Sequence, residues 1–87
     1  MNINYTRGGL AHAYKKHHIT KSRIRRELEQ GIKAVVTDNI NNSLIVFTEN
    51  FLAIAIDKDH NFKTAFKCTE KYFISKCKLG EIVKEEN

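Results

Sequence analysis

Arg26-Glu27-Leu28-Glu29-Gln30-Gly31-Ile32-Lys33-Ala34-Val35-Val36-Thr37 is the stretch at which the chain changes its period. Upstream of Gly31, Ile24 and Leu28 stand four residues apart, the spacing of one helical face. Thr20 supplies a side-chain oxygen for the first free amides of that helix, and Gly31 stands where a helix stops. The pattern predicts a helix over 21–30. Downstream, β-branched residues take over and the period falls to two, which predicts a strand over 32–37.

From this switch the rest of the chain reads in both directions. Toward the C-terminus, the turn cluster Asp38-Asn39-Ile40-Asn41-Asn42 separates the first strand from a second over 44–48. Glu49-Asn50 makes a tight link to a third over 51–56, whose nearly all-apolar residues mark it as central. Asp57-Lys58-Asp59-His60-Asn61 leads to a fourth over 62–66. Short polar links join neighbours, so the strands form a meander. Residues 69–78 read as a possible C-terminal helix with Thr69 as its cap and Tyr72, Phe73 and Ile74 for packing, and 84–87 read as a fraying end. Toward the N-terminus, Gly8-Gly9 is a break or the start of a helix; the helical pattern runs over 10–18, on which Leu10, Tyr14 and His17 share a face and His12, Lys15 and Lys16 point away. Residues 1–6 form an edge strand or an ordered arm.

The expected fold class is therefore α+β: two N-terminal helices on one face of a three- to four-stranded antiparallel meander. The sheet's other face is expected to be free and partly polar. At 87 residues this is one domain, with a helical part over about 8–31, a sheet over about 32–66 and a C-terminal segment over 67–87. The longest apolar run, 51–56, is far too short to span a bilayer, and no signal peptide opens the sequence. A cytoplasmic protein, or a domain delivered within something larger, is the expectation. Cys68 and Cys77 fit no metal spacing and imply no disulfide; no cofactor or metal is called for.

Charge carries the functional signal. Fifteen Lys and Arg against ten Asp and Glu give a net charge of +5. Arg7, Lys15, Lys16, Lys21, Arg23, Arg25 and Arg26 fall in twenty residues that hold no acid. Such a concentration suits phosphate, and Lys33 is a further candidate contact. The same stretch carries His12, His17 and His18. Imidazole titrates near neutral pH and can give or take a proton; cations steady a phosphate as charge develops. Cleavage of RNA by its own 2′-hydroxyl needs a base, an acid and a fixed cation.

The element His12-Ala13-Tyr14-Lys15-Lys16-His17 resembles the His-x-x-x-[Lys/Arg]-His helix of the barnase/EndoU/colicin/RelE-like ribonuclease superfamily. Ile24-Arg25-Arg26-Glu27-Leu28-Glu29-Gln30-Gly31 is similar to its middle segment, and Lys63-Thr64-Ala65-Phe66 to its late Thr-Ala-aromatic strand, with Phe66 where tyrosine is commoner. The resemblance spans roughly residues 8–66. It implies a metal-independent endoribonuclease of the toxin or phage-effector type, with His17, Lys16 and Thr64 at the centre and His12 and His18 as further candidates. An RNA substrate and a neutralising immunity or antitoxin protein would be its partners. Two other readings stay open: a non-catalytic RNA- or DNA-binding module, and a small protein-interaction factor, such as a phage inhibitor or adaptor, with a basic face. Of the remaining residues, His60 reads as a solvated turn residue, and Tyr14 and Tyr72 as core.

Overall fold

A computed structural model describes residues 2–85. Thr6, Thr20 and Thr69 each stand in extended backbone and accept a hydrogen bond from the amide three residues on, opening three helices: α1 (Arg7–His17), α2 (Lys21–Gln30) and α3 (Glu70–Leu79). Between α2 and α3 run β1 (Ile32–Asp38), β2 (Ser43–Thr48), β3 (Leu52–Ile56) and β4 (Phe62–Lys67); β5 (Ile82–Glu85) follows α3. The five strands form one sheet in the order β4-β3-β2-β1-β5, with every adjacent pair antiparallel. The α+β meander is as expected, and β5 adds a strand on the far side of β1. Lys84 and Glu85, read from the sequence as part of a fraying end, lie in β5 opposite Val35 and Ala34; the expectation for residues 86 and 87 falls outside the described residues.

Both faces of the sheet are covered, which corrects the expectation of a free second face. On one, Val35, Val46, Ile54, Ile56, Phe62 and Ala65 pack with Ala13 of α1 and Ile24 of α2. On the other, Ala34, Val36, Ile45, Phe47 and Ala53 meet Phe66, Cys68 and, from α3, Tyr72, Phe73 and Cys77. The alanines on this second face leave room for the aromatic rings above them. Two bulges set which side chain goes where. Lys63 is the extra residue opposite the Ala55–Ile56 step, so Phe62 turns toward α1 while Thr64 and Phe66, paired with Ala55 and Ala53, turn to the α3 side. Lys33 plays the same part in β1.

The sheet's β4 edge is closed by the N-terminal arm and α1. The Asn4 amide donates to the His60 carbonyl and the Phe62 amide to the Asn4 carbonyl, both at 2.9 Å, forming a parallel bridge. His60 sits in a left-handed turn with Nδ1 3.3 Å from the Asn2 carbonyl, so it helps hold the arm and is not merely solvated. Thr6 Oγ1 donates to the Phe62 carbonyl at 2.7 Å while capping α1. Gly9 lies so close to that same carbonyl that a Cβ there would collide with it. Among the described residues, no helix is long and apolar enough to cross a membrane.

Candidate functional site

The edge position of α1 decides where its histidines go. Its buried line is Gly9 and Ala13, the smallest residues available, because the helix rests against backbone at β4 rather than over a broad apolar surface. Leu10 is half-buried beside that line, whereas Tyr14 is 58% exposed, so Tyr14 is a surface residue and not the core residue expected. A helix seated at the sheet's edge can reach around it. The His17 ring stands 5.5 Å, centroid to centroid, from Phe66 of β4, on the α3 side.

Around that contact the other candidates sort themselves. His12 does not face away: its ring is 6.0 Å from that of His17, edge to face. Both imidazoles are solvent-exposed, as is Lys16. His18 serves another purpose. It takes the left-handed conformation (φ 57°) that ends α1, its amide donates to the Tyr14 carbonyl and the next amide, that of Ile19, to the Ala13 carbonyl, and its ring lies 6.2 Å from Tyr14. The doubled histidine thus resolves into one side chain at the sheet and one helix cap.

Thr64 precedes Phe66 by two residues and shares its face of β4, about 7 Å along the strand. Its Oγ1 is buried, and among the described residues it has no hydrogen-bond partner. Buried hydroxyls without partners are costly and uncommon. Beyond Phe66 the rings continue: Tyr72 lies 5.5 Å from Phe66, Phe47 lies 6.2 Å from Tyr72, and Phe73 lies 4.8 Å from Phe47. Burial raises the Tyr72 hydroxyl above its ordinary pKa, with the negative charges of Asp38 and Cys68 acting the same way, so it stays a protonated donor at neutral pH. Burial also raises the Cys68 thiol. Tyr72 is the site residue that sequence reasoning assigned only to packing. The one available signal was its place in the first turn after the Thr69 cap.

The basic residues divide. Arg7, Lys15, Lys16, Lys21, Arg23, Arg25 and Arg26 all belong to the α1–α2 layer, and all but the half-buried Arg23 are exposed. Lys33 is set apart on the α3 side, its ammonium 5.6 Å from the Phe51 ring centre and 5.7 Å from that of Phe73. No family model, curated protein or solved structure matches the chain. The candidate site joins two adjacent imidazoles on an exposed helix, a protonated phenol beyond the aromatic ring that His17 touches, an orphaned hydroxyl on the same strand face, and flanking cations. Among the described residues, no three or more His, Cys, Asp or Glu gather as a metal site.

Proposed function

We propose that the protein is an endoribonuclease of the toxin or phage-effector type that cleaves RNA by proton transfer at His17 and His12. The observation that carries this reading is the pairing of the two imidazoles, 6.0 Å apart, with the ring of His17 also 5.5 Å from that of Phe66. In the reaction one imidazole removes the proton from a ribose 2′-hydroxyl, whose oxygen attacks the adjacent phosphorus. The other imidazole protonates the departing 5′-oxygen, leaving a 2′,3′-cyclic phosphate and a 5′-hydroxyl. Lys16, one residue from His17, offers its ammonium to the phosphate oxygens as charge builds on them. Phe66 gives an unpaired base an aromatic surface to rest against, with the Tyr72 hydroxyl as a donor nearby. Thr64 joins the phosphate by turning its hydroxyl out of the buried position it holds in the free protein.

Incubating the purified protein with total RNA in excess chelator, then mapping fragment ends, tests the proposal. Fragments bearing cyclic phosphates and 5′-hydroxyls are expected. His17→Ala should lower the rate by about 100- to 10,000-fold, the usual worth of a positioned proton carrier, with RNA affinity nearly unchanged. RNA that binds but stays intact would leave a non-catalytic RNA-binding module; the absence of both cleavage and binding would favour a protein-interaction factor.

A further inference from the structure

A second feature lies between the N-terminal arm and α2. There a groove of about 500 Å³ is lined by Asn2, Ile3, Tyr5, Arg25, Leu28 and Glu29. This falls within the size range of small-molecule sites. Its arm wall is fixed rather than loose: besides the backbone bridge, the Asn4 side-chain amide donates to Asn61 Oδ1 at 2.6 Å. The Tyr5 ring is held 5.7 Å from Phe62, and the Lys21 ammonium stands 4.9 Å from its centre.

We infer that this groove binds one unpaired nucleotide whose base carries an exocyclic amine. Three of its properties select that ligand. Ile3, Tyr5 and Leu28 offer apolar surface for a flat base. Arg25, with Lys21 beside it, offers a planar guanidinium and an ammonium to a phosphate. Glu29 is an acceptor in the same groove, so a ligand that is anionic throughout is repelled, while one joining an anion to an amine is matched at both ends. Adenylate, cytidylate and guanylate have that amine and uridylate lacks it. A base can lie flat against these side chains only when it is unstacked from its neighbours, so a single strand or a free nucleotide qualifies and a duplex does not.

The inference deepens the RNA reading, yet it fails separately from it, because a mononucleotide has no internucleotide bond to cleave. Titrating the ¹⁵N-labelled protein with AMP should shift the amides of Ile3, Tyr5 and Leu28, and UMP should shift them at least fivefold less at equal concentration. Arg25→Ala should weaken AMP binding at least tenfold, and Glu29→Ala, which removes the acceptor, should erase the preference for AMP over UMP. Both side chains are exposed on α2, so an unchanged amide spectrum will verify the fold. An adenosine hexanucleotide presented to the His17→Ala protein identifies the source. Binding much tighter than AMP assigns the groove to a strand, and equal binding assigns it to a free nucleotide. Absence of shifts at these amides, shifts that survive Arg25→Ala, or a preference that survives Glu29→Ala overturns the inference. A protein that binds AMP here and cuts no RNA sinks the nuclease and leaves the groove standing.

Discussion

At the scale of single residues, the adjacent pair His17 and His18 separates chemistry from architecture. No glycine follows His17, so His18 itself must adopt the left-handed conformation that ends α1. That conformation costs an L-residue about 1–2 kcal/mol, and glycine's greater freedom when unfolded returns part of the gain. His18→Gly should therefore raise stability by a net of about 0.5–1 kcal/mol in urea unfolding and keep full cleavage. Loss of cleavage in this variant would move the proton carrier from His17 to His18. Thr64 permits a similar separation. Thr64→Val keeps the shape and removes a buried hydroxyl without a partner, so it should stabilise the protein by about 1 kcal/mol. A hydroxyl that serves the phosphate should also cost the variant roughly tenfold in cleavage rate, as a lost neutral hydrogen bond of about 1–1.5 kcal/mol does. Greater stability with an unchanged rate would make Thr64 structural only. Helical phase picked out His17 but misplaced His12 and Tyr14, because it assumed that the largest apolar residues set the buried face. In α1 the small pair Gly9 and Ala13 sets it, through close approach to backbone at β4.

Among the elements, those with sharp punctuation were legible and those fixed by distant partners were not. Thr20 and Gly31 bracket α2 and the polar clusters bracket the first four strands, since caps and turns are chosen by neighbouring residues. β5 escaped notice because Ile82 and Val83 are too few to show a period; their strand exists by pairing with β1. The cover that α3 gives the second face was equally hidden, since α3 has no fully buried residue and contributes only half-buried Tyr72, Phe73 and Cys77. Its anchorage is polar instead. Lys76 Nζ stands 3.7 Å from the buried Asp38 carboxylate at the end of β1, and just past the helix the Glu81 amide donates to Thr37 Oγ1 at 2.8 Å. Burial alone would raise the Asp38 pKa, but hydrogen bonds from Asn41 and the charge of Lys76 outweigh it and hold the carboxyl below its ordinary value. A carboxyl lowered by folding contributes stability that is complete above its unfolded pKa of about 3.9 and is lost as pH falls through the folded value. Unfolding below about pH 4 should accordingly become easier, with α3 amides the first to lose hydrogen-exchange protection. Asp38→Asn should flatten that acid slope and lower stability at pH 7. An unchanged slope in the variant would show that other carboxylates carry the acid response.

For the molecule as a whole, the separation of charge between its two layers makes RNA binding testable without reference to cleavage. Seven cations lie on α1 and α2, whereas Lys33 is tucked against Phe51 and Phe73 on the far side of the sheet. A single strand held through phosphates releases condensed counterions, so log K falls with log salt by about 0.7 for each phosphate contacted. If the helical layer is the contact surface, the slope measures how many of its cations touch the strand. Replacing Lys15 and Lys16 together by Ala should reduce the slope by about 1.4 and weaken binding evenly across RNA sequences. Lys33→Ala should leave the slope unchanged, because its ammonium already lies over two rings and away from the other seven. Fluorescence anisotropy with a labelled RNA dodecamer, from 25 to about 300 mM salt, covers a range in which such contacts weaken measurably. Equal effects from the two variants would mean that the strand wraps around the sheet and reaches Lys33. A slope near zero in the parent would remove phosphate contact as the basis of binding, and with it the role argued for the acid-free stretch from Arg7 to Arg26.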